Sequence, residues 1–169
     1  MVRREMRMHM TRTVALPLLL LVVLAGPRMS AQSLDPEEDG VLAAVLSQVA
    51  DQMVDESLRA EGGVACLSVD PGGAPQSVSS EFLERLDPRP FLRRGAECEE
   101  RPNGAVELAS ERPAVLITAG PIEWVAEDDA WVTVRYFRTN LLSAERLYRA
   151  VREKSGWVSL GQIIQMSPA

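Results

Sequence analysis

The last third of the chain, Ala114 to Met166, is a succession of short apolar or alternating runs, and this narrows the possible folds more than any other stretch. The runs are Ala114–Ile117, Pro121–Ala126, Ala130–Phe137, Leu147–Arg152 and Trp157–Met166, and among them they hold all three tryptophans and both tyrosines. Their Val, Ile, Trp, Tyr and Thr content suits a pleated, half-buried surface. Glu127-Asp128-Asp129 and Lys154-Ser155-Gly156 read as turns between them. Gly120-Pro121 reads as a bend or bulge, because proline cannot donate to a ladder. Within Ala130–Phe137, Val132, Val134 and Tyr136 share one face, and Trp131, Thr133, Arg135 and Phe137 share the other. The first face suits a core and the second is mixed. Short connections predict an antiparallel meander.

Upstream, Asp35-Pro36-Glu37-Glu38 combines a capping residue, a first-turn proline and acids at the positive end of a helix dipole. The helix is expected to run to about Arg59. Leu42, Val45, Leu46, Val49 and Met53 recur at helical spacing and form its core stripe, and Asp55 and Arg59 stand four apart for an ion pair. Val64–Val69 is expected to be a strand. Ser79 or Ser80 then caps a short helix, Glu81 to Leu86, which Pro88 and Pro90 stop, and Val106 to Ala109 is another expected strand. Gly72-Gly73 lacks the Lys-Ser/Thr of a phosphate loop.

The first residues read as an export signal: Arg3, Arg4, Arg7 and Arg12 precede an apolar run from Val14 to Leu24 that is short for a membrane span of about 20 residues. Pro27 stands where a lipoprotein box needs cysteine, which argues against lipidation. Cleavage is expected after Ala31 or Ser33. The expected organisation is a signal peptide, 1–31, and one domain, 32–169, in the periplasm or outside the cell, with no stable membrane anchor. Removing the signal takes the formal charge from −6 to about −10, which disfavours nucleic acid and anionic membranes as partners. Lys154 is the only lysine beside 17 arginines' worth of basic charge, a bias that fits a GC-rich bacterial genome.

Cys66 and Cys98 are the only cysteines, and in an oxidising compartment they are expected to form one disulfide, worth roughly 3 kcal/mol on a chain-entropy estimate. The only histidine, His9, lies in the signal. Catalysis by a Ser-His-Asp or Cys-His arrangement and zinc held by histidine are therefore not expected, and no cofactor or metal is.

The candidate binding residues are Trp124, Trp131, Arg135, Tyr136, Arg149 and Trp157. The tryptophans could line an apolar pocket or simply fill a core. The arginines could hold an anion or balance nearby acids. If Asn140 to Ser143 forms a turn, Arg138 faces Glu145. Glu127-Asp128-Asp129 lacks the spacing of a calcium loop and reads as a solvated turn. No acid pair is singled out for glycoside-type hydrolysis.

The last hairpin, Leu147 to Val158, runs from a basic strand through Gly156-Trp157 into a closing strand. This ending, after a long helix, a strand and a short helix, resembles domains of the nuclear-transport-factor-like and cystatin-like folds. The chain also resembles small exported bacterial proteins. The resemblance implies an α+β domain in which a long N-terminal helix packs on a curved antiparallel sheet, with one short second helix and a cone-shaped pocket. It carries over no catalytic residue. The expected function is an exported, non-catalytic binding or interaction domain of unknown specificity, its partner an envelope protein or a small ligand. The alternatives are a cone that binds a small apolar or anionic ligand, and a carboxylate-dependent hydrolase.

Overall fold

The computed structural model describes residues 35–86 and 89–163. The expected signal segment and the end of the last run, 164–166, lie outside the described residues.

Helix α1 spans Pro36–Met53, and Asp35 caps it by accepting a hydrogen bond from the Glu37 amide. The helix does not continue to Arg59. It breaks at Val54, and a separate helix α2 covers Glu56–Ala60. Asp55 causes the restart: its side chain accepts from the Leu58 amide, a second N-cap inside the predicted helix. Asp55 also pairs with Arg138 at 3.3 Å, where an ion pair with Arg59 was expected. Strand β1, Val64–Val69, follows, then β2, Gln76–Ser77, and helix α3, Ser80–Arg85, capped by Ser79. Next come three short strands: β3, Leu92–Arg94; β4, Cys98–Arg101; and β5, Gly104–Glu107. Four longer strands follow: β6, Pro113–Ala126; β7, Asp129–Thr139; β8, Leu142–Glu153; and β9, Gly156–Gln162.

All nine strands among the described residues belong to one sheet with the order β2-β1-β6-β7-β8-β9, and β3 and the β4–β5 hairpin attach at its flanks. β6 to β9 form the expected antiparallel meander. β1 is parallel to both β6 and β3. The expected architecture, a long helix on a curved antiparallel sheet of the nuclear-transport-factor-like or cystatin-like kind, is thus corrected to a strand-dominated mixed sheet of nine strands with a broken helical segment. The physical reason is the length of the β1–β6 connection. A parallel pair needs a crossover of about a dozen residues or more, and residues 70–112 supply it.

Two predicted strands, Ala114–Ile117 and Pro121–Ala126, prove to be one. Gly120 and Pro121 are a bulge between Ala119 and Ile122, so the ladder skips them and resumes. The β7–β8 turn lies at Asn140–Leu141. The register therefore sets Arg135, and not Arg138, opposite Glu145.

The main core lies between the helices and one sheet face. Val41, Leu42, Val45, Leu46, Val49 and Ala50 of α1 pack with Val132 and Val134 of β7 and Tyr148 and Ala150 of β8. Trp157 pins the first turns of α1. Its indole N–H donates to Glu37 at 3.0 Å, and its ring lies so close to Gly40 that a Cβ there would stand 2.7 Å from Cδ1. On the opposite face, a smaller cluster joins Val64, Cys66, Ala105 and Ala114 beneath the β4–β5 hairpin. A disulfide between Cys66 and Cys98, with Cα atoms 6.2 Å apart, ties the hairpin to β1. Among the described residues, no helix is long and apolar enough to cross a membrane.

Candidate functional site

The sheet separates the six candidate residues into two sets. Tyr136 and Trp157 pack against the helical core. Trp124 lies on the same side, with its ring edge-on to Trp157 at 5.5 Å between centroids. Trp131, Arg135 and Arg149 alternate to the other side, the side on which Phe137 packs beneath the hairpin. The two sets cannot line one cone, because the sheet backbone lies between them.

On the helix side, Trp157 is already engaged. Arg152 stands 5.2 Å from its ring centroid and also pairs with Glu37. These groups hold α1 to β9. Trp124 remains 43% exposed at the end of this cluster.

The other side carries a broad surface. Beyond the β4–β5 hairpin, no described element packs on this face of β7, β8 and β9. Trp131 lies directly opposite Arg149, Thr133 opposite Leu147, and Val151 opposite Val158. Leu160 is the extra residue of a bulge between Ser159 and Gly161; both of these face Gln48 of α1, so Leu160 turns to the other side, and it is 56% exposed. At the centre, Arg149 grips Asp129 through two hydrogen bonds of 2.9 and 2.6 Å. These bonds hold the Asp129 carboxyl below its ordinary value and the Arg149 guanidinium above its own. At the rim, Arg135 bonds Asp70 at 2.6 Å and approaches Glu145 at 3.9 Å. Both arginines are thus already neutralised by this chain's own acids, which weakens the case for an anion site. The Trp131 indole nitrogen is buried and has no hydrogen-bond partner among the described residues.

A cavity of about 620 Å³ lies elsewhere, between the start of α1, the end of β1, α3 and the Gly120-Pro121 bulge. None of the six candidate residues lines it. It was not legible in the sequence, because its walls come from four distant segments.

A third feature is also new. Glu107 is a buried carboxylate, 4% exposed. It accepts from Arg93 at 2.6 Å, from Arg112 at 2.9 and 3.0 Å, and from the Ser110 hydroxyl. Burial alone would raise its pKa, but the bonds from Ser110, Arg93 and Arg112 outweigh it and leave the carboxyl at about 2. That is the opposite of a general acid, which needs a raised pKa. Glu107 is a structural anchor for the hairpin. The spacing of Ser110 and Arg112 was visible in the sequence, but the distant partner Arg93 was not. Among the described residues, no group of three or more His, Cys, Asp or Glu is placed to hold a metal ion.

No protein-family profile matches the chain, and no curated protein sequence or solved structure shows significant similarity to it.

Proposed function

We propose that this is an exported, non-catalytic interaction domain that docks an envelope protein on the open face of β7, β8 and β9. One observation carries the reading: Trp131, Leu147, Val151, Val158 and Leu160 surround an internally neutralised Arg149–Asp129 pair on a face that no described element covers. A paired charge costs less to desolvate than a lone one, the apolar side chains around it gain from burial, and aromatic residues are frequent anchors of such contacts. The Cys66–Cys98 disulfide supports an oxidising compartment, and the arginine-rich, apolar start supports export. A sequence without histidine after His9 fits binding better than acid–base catalysis.

Charge placed on this face is the expected way to break the function while sparing the fold. The double substitution Val158→Glu and Leu160→Glu is expected to abolish co-purification of the partner from the host envelope fraction. Because both side chains are partly or largely exposed, stability is expected to change by less than about 1 kcal/mol. A variant that still carries the partner at the wild-type level contradicts the assignment of the face.

A further inference from the structure

The 620 Å³ cavity has a built chemistry that the open sheet face does not share. Its walls are apolar where α1, β1, α3 and β6 converge: Leu42, Val69, Val78, Phe82 and Ile122 line it. Phe82 and Val78 are buried, so these walls are set by the core and not by mobile surface side chains. The bulge contributes as well. Gly120 and Pro121, stepped out of the β6–β7 ladder, stand in the wall of the recess beside Ile122. A volume of this size falls within the range of about 300–1,000 Å³ that holds small organic ligands.

The polar groups around the recess are one-sided. Glu38, Asp39, Asp70 and Glu81 all line it, and among the described residues Arg85 is the one basic residue that does. Arg85 is committed to Asp39 at 2.6 Å, and its guanidinium also lies 5.8 Å from the Phe82 ring centroid. Asp70 is committed to Arg135 and to the Gly72 and Gly73 amides. Glu38 and Glu81 have no ion pair with any described residue within 4 Å. Backbone and Ser79 hydrogen bonds keep the Glu81 carboxyl below its ordinary value, so it stays ionised at neutral pH. The recess therefore presents an apolar floor and two carboxylates outside any close ion pair among the described residues, Arg85 and Arg94 acting on Glu81 only at longer range.

We propose that this cavity binds a small amphiphilic amine, its apolar body against Leu42, Val78, Phe82 and Ile122 and its protonated nitrogen between Glu38 and Glu81. An anionic ligand would meet these same carboxylates and be repelled. A neutral ligand would gain the apolar contact and forgo the charge. The site shares the Asp70–Arg135 pair with the rim of the docking face, but Leu42, Val78, Phe82, Ile122, Glu38 and Glu81, which would hold the amine, are not among that face's residues.

The test is a titration of the purified protein, followed by amide chemical shifts, with three probes of equal chain length: n-hexylamine, n-hexanol and hexanoate. Saturable shifts are expected for hexylamine at Leu42, Val78, Phe82 and Ile122, with weaker binding of hexanol and none of hexanoate. Glu38→Gln with Glu81→Gln is expected to weaken hexylamine about tenfold, from two partly exposed charge contacts, and to leave hexanol unchanged. Both positions are on helix surfaces, so the variant is expected to fold. Ile122→Trp, which fills the cavity, is expected to remove binding of both. Binding of hexanoate as tight as hexylamine overturns the proposal. So does a double variant with unchanged hexylamine affinity, or the absence of saturable shifts at these residues.

Discussion

Glu107→Gln is expected to destabilise the protein by about 3 kcal/mol at neutral pH, the low end of what removing one partner of a buried ion pair costs. The low end applies because Arg93 and Arg112, which lose their acceptor, are 26% and 37% exposed and can recover some hydration. The effect is also pH-dependent, with a definite sign. The carboxyl sits at about 2 in the fold and near its ordinary 4.5 when the chain is unfolded. A carboxyl with a depressed folded pKa stabilises the fold above its unfolded pKa, and that contribution fades as the pH falls toward the folded value. Urea unfolding of wild type and variant is therefore expected to show the full gap above about pH 5 and a gap that closes between about pH 4.5 and pH 2. Equal stabilities at neutral pH would show that the anchor contributes nothing.

Removing the disulfide with Cys66→Ala and Cys98→Ala is expected to cost about 3.7 kcal/mol, the loop-closure value for a bridge spanning 32 residues. The loss is expected to be local before it is global. In the ladder, the β4–β5 hairpin joins β6 through two residue pairs, Ala105 with Ala114 and Val106 with Pro113. Hydrogen exchange is expected to speed up in β4 and β5 while β7 and β8 keep their protection. Cys98 lies directly opposite Glu107 in the hairpin ladder. The two anchors hold the same hairpin, so combining both changes is expected to cost less than the sum of their separate effects. Full additivity in urea melts would mean that they act on different units.

Much of the local structure was legible because it is written in local chemistry. Asp35 and Pro36 marked the start of α1, the spacing of Leu42, Val45, Leu46 and Val49 marked its buried stripe, and Ser79 marked α3. Val64–Val69 has the predicted bounds, and period-two alternation sorted Val132 and Val134 from Trp131 and Arg135 correctly. The sheet's mixed order was not legible. Nothing within Val64–Val69 says that its neighbour lies parallel and some 50 residues on. The break at Asp55 was missed because the apolar stripe continues across it through Leu58, so periodicity and capping pointed different ways and the cap prevailed. The candidate site was only partly legible. Residue type singled out the tryptophans and arginines, but their assignment to one cone ignored the sheet between them. The cavity and the Glu107 anchor depend on long-range pairings that no single segment contains.

The docking face is tested most directly by a native mass spectrum of the protein purified gently from the envelope fraction of its own host. Extra mass equal to a second polypeptide is expected in the wild type, and its loss in the Val158→Glu, Leu160→Glu variant. A wild-type protein that carries no second polypeptide would contradict the assignment of the face.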